Sequence, residues 1–185
     1  MSQPIMSSPD GVSESAHASE AFVDATDYPL YVVTASSGDE VSGCVVGFAT
    51  QCSITPVRFL VCVSKLNHTF GVAQRAAGLA VHLLGSDQAD IASLFGEESG
   101  DWADKFAGVR WTRGATGAPL LTDCAAWVEG PSIDSWSVGD HQAFLIEITA
   151  GGAGSHQGRF MLSDASGLDA GHGADTGESG GSGSD

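Results

Sequence analysis

The segment from Val41 to Ala77 constrains the fold more than any other part of the sequence. Two apolar, β-branched runs are separated by a short polar stretch, and the second run leads through a polar turn into a helical pattern. The predicted elements are, in order, a strand (Val41–Phe48), a polar crossing (Ala49–Thr55), a strand (Pro56–Ser64), a turn (Lys65–Asn67) and a helix (His68–Ala77). The free N–H groups and the dipole at the start of such a helix attract negative charge. The segment therefore predicts an anion-binding site where the second strand meets the helix.

The rest of the pattern predicts a mainly β protein. Leu30–Ala35 and the strand that starts at Val41 flank a turn containing Gly38, which indicates a hairpin rather than the strand–helix–strand opening of a doubly wound fold. Further strands are predicted at Gly78–Leu84, Val109–Arg113, Pro119–Trp127, Gly139–Thr149 and Gln157–Leu162, and helical segments at Asp87–Phe95 and Trp102–Phe106. About seven short strands with two or three interposed helices favour a closed antiparallel β-barrel.

The two ends of the chain differ in composition from its middle. Residues 1–22 are rich in Ser, Ala and Pro and contain no Lys or Arg, and residues 165–185 are rich in Gly, Ser and Asp. We therefore expect a disordered acidic arm, one domain over residues 23–164, and a disordered tail. The formal net charge of −16 repels phosphodiester backbones, which argues against a nucleic-acid partner.

Cysteine and histidine usage bears on metal chemistry and location. The 4 cysteines stand in or beside apolar runs without C-x-x-C spacing, and the 6 histidines are scattered, so no metal site is predicted. Such cysteines suit a reducing compartment. The N-terminal residues lack the basic and apolar regions of a signal peptide, and no apolar run is long enough to cross a bilayer. We expect a cytoplasmic protein without a membrane partner.

Three short segments are candidates for ligand contacts. Gly47–Ser53 could place a flat ring against small residues, although an ordinary polar connection between strands explains it more simply. Ser64–Thr69, with Asn67 as the candidate N-cap, fits a phosphate site and a plain capping turn equally well. The tripeptide Gly139-Asp140-His141 opens a strand, where the imidazole could reach a ligand or transfer a proton. It could also merely close a turn with its neighbouring carboxylate.

In combination these segments resemble the flavin reductase-like family, whose fold is the FMN-binding split barrel. The predicted hairpin runs into GFATQCSITPVRFLVCVSK, which resembles the family's small-residue and Phe segment, its Ser-x-x-Pro and its apolar strand ending in Ser. The run LNHTFGVAQRAAGLAVHLLGSDQADIASLF resembles the family's next helix, strand and helix. DKFAGVRW resembles its Lys/Arg-Phe-x-Gly segment, and GDH its Gly-Asp-His. The resemblance covers roughly Tyr28 to Leu162, with the motifs in the family's order.

The resemblance implies an oxidoreductase in which NADH or NADPH reduces a flavin, FMN or FAD, by hydride transfer. The protein would supply stacking, alignment and charge rather than a covalent intermediate. Homodimers with the flavin at the subunit interface are usual in the family, and a flavin-dependent monooxygenase is the expected recipient of the reduced flavin.

The resemblance also assigns site residues. The expected contacts of the flavin ring are Gly47, Phe48, Ala49, Thr50, Gln51, Cys52 and Ser53. The expected contacts of the flavin phosphate are Ser64, Lys65, Asn67 and Thr69. His141 is the candidate catalytic residue beside the flavin or nicotinamide, and Lys105 and Phe106 are expected near the rim. For the last two, a plain helical turn with a buried Phe is the simpler interpretation.

Two other functions remain open from the sequence. The chain could be an FMN-binding protein of the same fold with a different electron donor or acceptor. It could also be a non-catalytic module that has the barrel and either binds flavin without reducing it or binds no ligand. Oxidation of NAD(P)H that depends on added flavin would separate a reductase from both.

Overall fold

The computed structural model describes residues 21–23, 25–96 and 105–166, and the structural statements below concern those residues. The predicted acidic arm (1–22) and C-terminal tail (165–185) fall almost entirely outside them, as does the Trp102 end of a predicted helical turn. No helix within these ranges is long and apolar enough to span a bilayer.

The described residues form a mainly β structure with few helices. The strands are β1 (Tyr31–Ser37), β2 (Glu40–Val46), β3 (Ala49–Ile54), β4 (Val57–Ser64), β5 (Gly78–Leu83), β6 (Trp111–Arg113), β7 (Pro119–Leu121), β8 (Ala126–Ser137), β9 (His141–Glu147) and β10 (Ala150–Ala153). The helices are α1 (His68–Ala73) and α2 (Ala89–Gly96), with 3-10 turns at Lys105–Gly108 and Leu162–Ala165.

One large antiparallel sheet organises the molecule. Its order is β2-β1-β5-β8-β9-β4-β3, with β10 paired to β8, while β6 and β7 form a separate two-stranded sheet. The first part of β8 pairs with β5 and the last part with β9, and a register shift lies between Ser132 and Asp134. Such a shift bends a strand and increases its twist. Strand β8 therefore connects the two halves of the sheet.

The main hydrophobic core lies between these two halves. Inner residues of β1, β2 and β5 pack with those of β4 and β9, and α1 covers them with Val72. Side chains alternate along β4, so Val61 and Val63 are fully buried while Cys62 is partly exposed on the opposite face. Because a single cluster draws on both halves, the sheet is curved around it. A second cluster packs α2 against Phe106 and Phe160.

A buried histidine links three strands of the sheets. His82 is fully buried, and its Nδ1 lies 3.0 Å from the Val32 carbonyl oxygen on β1. The Leu121 N–H on β7 donates to His82 Nε2 at 3.0 Å. The ring is therefore neutral, with its proton on Nδ1. Burial, the largest cause, lowers the pKa of His82 to about 4.

The sequence correctly predicts the mainly β class, the first hairpin and the turn that leads from β4 into α1. In the hairpin turn Gly38 has a φ of 63°, a conformation that favours glycine. The prediction of a polar crossing at Ala49–Thr55 is wrong, because Ala49–Ile54 form β3 at the edge of the sheet and Thr55 begins the turn that follows it. An edge strand lacks a neighbour on one side, and most side chains of β3 are exposed to solvent, which accounts for its polar sequence.

Several boundaries also differ from the predictions. Helix α1 ends at Ala73 rather than Ala77, because the N–H groups of Arg75 and Ala76 bond three residues back, to Val72 and Ala73, in a turn that leads to β5. The predicted strand Pro119–Trp127 is two strands, β7 and the start of β8, separated by a bend in which the Cys124 thiol donates to the Leu121 carbonyl. The predicted strand Gln157–Leu162 is absent, and Pro29 and Met161 form an isolated bridge there. Strand β10 was not predicted.

Candidate functional site

A pocket of about 160 Å³ opens beside the end of β2, where β4 and β9 meet the turn before α1. Most of its walls are apolar, with a few polar groups. The lining residues are Tyr28, Leu30, Cys44, Val45, Val46, Gly47, Phe48, Cys62, Ser64, Asn67, His141 and Leu162. Five predicted site residues therefore lie together in one pocket: Gly47, Phe48, Ser64, Asn67 and His141.

Aromatic rings form one side of the pocket. Phe48 is half-exposed, and its ring lies between Tyr28, with centroids 6.1 Å apart, and His141, with centroids 5.3 Å apart. Gly47 precedes it, and a Cβ there would come within 2.5 Å of the Tyr28 ring. The glycine therefore lets the chain pass against Tyr28 and turn Phe48 towards the pocket.

The imidazole of His141 is oriented by the preceding residue. Its Nδ1 lies 2.8 Å from Asp140 Oδ1. The hydrogen bond from His141, the largest cause, lowers the pKa of Asp140, so that carboxylate is ionised at neutral pH. Because Nδ1 is engaged, Nε2 is the ring nitrogen left for a ligand. Ser64 is the cross-strand partner of His141, so both residues lie at the same edge of the pocket.

The start of α1 is capped by the chain itself. Asn67 Oδ1 accepts a hydrogen bond from the Thr69 N–H at 3.0 Å, which confirms Asn67 as the N-cap. The Ser64 hydroxyl oxygen accepts from the Leu66 N–H at 3.3 Å. The donors of these two side chains, the Asn67 amide N–H groups and the Ser64 O–H, stay available to the pocket.

Thr69, a predicted phosphate contact, is turned into the protein. It is buried, and its hydroxyl is 2.8 Å from that of Ser42 on β2. The neighbouring Cys44 thiol is also buried, and desolvation raises its pKa to about 11. A thiol with that pKa is protonated at neutral pH and is a poor nucleophile. Cys44 lines the pocket, whereas Thr69 and Ser42 lie behind it and are not part of the lining.

The predicted ring contacts that follow Phe48 lie along β3 and are not part of the pocket lining. These residues are Ala49, Thr50, Gln51, Cys52 and Ser53. The Gln51 amide donates to the Ser53 carbonyl oxygen at 3.0 Å, and the Thr50 hydroxyl donates to the Gln51 carbonyl oxygen at 3.3 Å. The side chains of Thr50 and Gln51 thus bond within their own strand at the edge of the sheet. Whether they contact a flavin stays a prediction.

The three remaining predicted site residues, Lys65, Lys105 and Phe106, lie outside the pocket lining and in different environments. The Lys65 ammonium donates to the Ser137 hydroxyl at the end of β8, at 2.7 Å, and to the Gly139 carbonyl oxygen in the turn between β8 and β9. Lys105 is buried, and its ammonium donates to the Phe95 carbonyl oxygen at 3.1 Å. Phe106 packs in the second core. Lys105 and Phe106 therefore lie inside the protein rather than at the pocket rim, as the simpler interpretation expects.

Several lining residues were not singled out from the sequence. Cys62 could have been found, because the alternation that buries Val61 and Val63 places Cys62 on the same face of β4 as Ser64. Tyr28 and Leu162 could not have been found, because they lie far apart in the sequence. The folded chain brings them together, and the Leu162 N–H donates to the Tyr28 carbonyl oxygen. Within the described ranges no His, Cys, Asp and Glu cluster could hold a metal ion.

The fold and the pocket together define a curved, mainly antiparallel β protein with a pocket beside its sheet. The model of the flavin reductase like domain matches residues 23–169, and the chain belongs to this family.

Named relatives and a solved structure are consistent with that membership. The chain is 31% identical over 122 residues to the stachydrine N-demethylase reductase subunit Stc3 of Rhizobium meliloti, covering 64% of this chain and 52% of the relative. It is 33% identical over 99 residues to the FMN reductase (NADH) RutF of Pseudomonas syringae, covering 52% and 55%. The solved NADH:FAD oxidoreductase SgcE6 of Streptomyces globisporus is 27% identical with a TM-score of 0.67, covering 76% and 83%. The chain spans about half the length of the two curated relatives.

Proposed function

We propose that this protein is an NAD(P)H-dependent flavin reductase that passes hydride from a nicotinamide to FMN or FAD. The observation that carries the proposal is the pocket, in which Phe48, Ser64, Asn67 and His141 converge in a chain of the flavin reductase-like family. The NADH-dependent FMN and FAD activities in the names of its relatives support the same reaction class.

The residues present fit part of a flavin. A flavin ring is flat and apolar across its faces, with hydrogen-bonding groups along its edge, and the pocket pairs apolar walls with a few polar groups. Phe48 offers an aromatic surface, and the Ser64 hydroxyl, the Asn67 amide and His141 Nε2 offer hydrogen bonds. This combination is typical of sites for planar cofactors.

The protein's own residues act by binding and orientation. A bound flavin would supply the hydride acceptor. Phe48 would restrict the tilt of the ring, and the donors of Ser64 and Asn67 would fix polar atoms at its edge. His141, oriented through Asp140, would hold a hydrogen bond from Nε2 to the flavin or to the nicotinamide. Correct alignment of two reactants is itself a large part of the catalysis of such a bimolecular step.

The size of the pocket supports a homodimer. Sites for cofactor-sized ligands usually enclose roughly 300–1,000 Å³, and this pocket has about 160 Å³. The outer face of the sheet next to it carries a group of apolar side chains, since Leu60 is opposite Leu145 and Cys62 and Trp136 are both opposite Ala143. The charged residues on the same face are Asp134, opposite Leu145, and the ion pair of Arg58 and Glu147. We infer that a second copy of the chain covers this face and completes the site.

Barrel closure and the domain limits belong to the same proposal. Strands β2 and β3 end the hydrogen-bonded order of the sheet but follow one another in the sequence. The shared core supports a sheet that curls until these two ends approach, giving a split barrel. The family match over residues 23–169 supports a flavin-binding domain at about 23–164.

A monooxygenase is the proposed recipient of the reduced flavin. If the protein releases reduced flavin, a second protein must accept it. The similar Stc3 is named as the reductase subunit of an N-demethylase. The reduced flavin would then be used by a separate oxygenase.

The decisive experiment is spectrophotometric. Purified full-length protein is mixed with NADH or NADPH, with and without added FMN or FAD, and absorbance is followed at 340 and 450 nm. We expect oxidation of the nicotinamide only when flavin is present. No oxidation above the protein-free rate at saturating flavin would overturn the proposal. A stoichiometrically bound flavin that neither nucleotide bleaches would instead identify a flavin-binding protein with another electron donor.

A further inference from the structure

The side chain of Lys65 bonds to the turn that carries the pocket histidine. Its ammonium donates to the Ser137 hydroxyl at 2.7 Å and to the Gly139 carbonyl oxygen. Its backbone N–H donates to the Asp140 carbonyl oxygen at 3.0 Å. One residue thus contacts the end of β8, the turn itself and the residue that precedes β9.

The turn is short and conformationally restricted. The Val138 N–H donates to the His141 carbonyl oxygen at 3.0 Å, so Gly139 and Asp140 form a two-residue loop. Gly139 has a φ of 91°, which favours glycine and fixes the direction in which the next residues leave the turn. The position of the loop relative to β4 therefore decides where the imidazole of His141 stands.

Lys65 is suited to set that position. It directly follows Ser64, the cross-strand partner of His141, so it belongs to the strand end against which the loop lies. Its charge also acts on the loop: the hydrogen bond from His141 is the largest cause that lowers the pKa of Asp140, and the Lys65 charge adds the smallest contribution in the same direction. The ammonium thus favours the ionised carboxylate that orients the imidazole.

We propose that Lys65 is a positioning residue, which fixes the β8–β9 loop and thereby holds Asp140 and His141 at the pocket. Its effect on turnover rests on the proposed reductase function, whereas its effect on the position of His141 does not. The assignment differs from the phosphate contact expected from the sequence, because two of the three ammonium N–H groups are used within the protein.

The two roles of Lys65 make different predictions for ligands with and without phosphate. The variants are Lys65→Met, Ser137→Ala, which removes one acceptor of the ammonium, and Ser135→Ala as a control on the same strand. Flavin affinity is measured by fluorescence with FMN and with riboflavin, which has the same ring but no phosphate. The ring resonances of His141 are followed by NMR, and steady-state rates are measured with NADH and FMN.

We expect Lys65→Met and Ser137→Ala to shift the ring resonances of His141, and Ser135→Ala to leave them unchanged. The ratio of the riboflavin and FMN dissociation constants should be the same in every variant. Lys65→Met should lower kcat/KM for NADH roughly three- to tenfold, the size expected for a lost hydrogen bond, with a smaller loss in Ser137→Ala.

Other outcomes decide against the proposal. If Lys65→Met weakens FMN but not riboflavin, and the His141 resonances do not change, Lys65 is a phosphate ligand and the positioning role is wrong. Unchanged His141 resonances in Ser137→Ala would also overturn it. Failure of the reductase function is recognised separately, because the wild-type protein then oxidises no NADH, while the resonances still report on the loop.

Discussion

The rings of Phe48 and His141 lie with their centroids 5.3 Å apart and their planes tilted by 59°. Phe48 follows β2, and His141 begins β9, so strands that are not neighbours in the sheet bring the two together. Neither residue is a strong signal by itself in the sequence. The structure joins them at one pocket, which makes the pair the natural place to test ligand binding.

Replacing Phe48 by Ala should weaken flavin binding about tenfold, which is about 1.4 kcal/mol. The loss is expected because aromatic contacts contribute about 0.5–1.5 kcal/mol beyond their buried area. Stability should change little, since the side chain is 54% exposed. Fluorescence quenching gives the dissociation constant and thermal melting the stability.

Ile54→Ala is the matched control for this variant, because Ile54 is 81% exposed and does not line the pocket. An unchanged dissociation constant in Phe48→Ala would mean that the flavin is bound elsewhere. Equal losses in both variants would mean that the effect is not specific to the pocket.

The neutral, buried His82 should make the protein less stable in mild acid. Its ordinary pKa is 6.5 and its pKa in the folded protein is about 4, so the unfolded chain binds the additional proton between these values. Unfolding free energy is then lost as pH falls from about 6.5 to about 4, to a total of roughly 3 kcal/mol. Denaturant unfolding at a series of pH values measures this loss.

The partly buried His156 acts in the opposite direction and in a different pH range. Hydrogen bonds to Asp87 and then Asp123 raise its pKa above 6.5, so its contribution is complete below 6.5 and is lost as pH rises through the raised value. The two effects therefore do not overlap. For His82 the direct check is an NMR titration of its ring. A His82 ring that titrates near pH 6.5 in the folded protein would contradict its assignment as a buried, neutral imidazole.

The sequence predicts those parts of the fold in which local pattern and tertiary contacts agree. The hairpin at Gly38 and the alternation along β4 are of this kind, because one face of each strand enters the core. The length of strand β8 is not predicted, because Gly130 and Pro131 interrupt its apolar pattern. Both residues nevertheless pair with β5. A Cβ on Gly78 would come within 2.3 Å of the Gly130 carbonyl oxygen, so close backbone contact explains the glycines.

The candidate site was predictable at the level of segments but not of side-chain directions. Asn67 and His141 were found because caps and strand starts leave signals in the sequence. The orientations of Thr69 and Lys65 depend on partners far along the chain, Ser42 and Ser137, and that of Lys105 on Phe95 in the preceding helix. Charge leads one to expect an exposed lysine. Lys105 is nevertheless buried, and the bond from its ammonium to the Phe95 carbonyl offsets part of the cost of burying the charge.

Glu129 should contribute more to stability than an ordinary surface carboxylate. It is 3% exposed and accepts hydrogen bonds from the N–H groups of Ala115 and Thr116, at 3.0 and 3.2 Å, and from the Thr116 hydroxyl at 3.0 Å. Glu129→Gln places amide hydrogens against these donors, so we expect a loss of about 1.5–3 kcal/mol in unfolding free energy.

Glu147→Gln is the control for this substitution, since Glu147 forms a partly exposed ion pair with Arg58 at 3.2 Å. Such pairs contribute less than about 1 kcal/mol. Urea denaturation of both variants at pH 7 measures the difference. Equal losses would show that the loop at residues 114–117 does not depend on the buried carboxylate.

The outer face of the sheet gives the test of the homodimer. Trp136 on β8 is 42% exposed. It is the cross-strand partner of Ala143 on β9, whose other partner is Cys62 of the pocket on β4. A lysine at this position would place a charge in the proposed interface, where an unpaired charge is costly to bury. We therefore expect Trp136→Lys to be monomeric in sedimentation velocity at concentrations where the wild-type protein is dimeric.

Flavin affinity should fall in Trp136→Lys together with dimerisation, because the second copy is proposed to complete the pocket. Thr112→Lys adds the same charge to an exposed position on β6, in the separate two-stranded sheet, and should leave both properties unchanged. A Trp136→Lys variant that stays dimeric would place the interface on another face. A monomer that keeps the wild-type affinity would mean that one chain holds the whole flavin, despite a pocket of about 160 Å³.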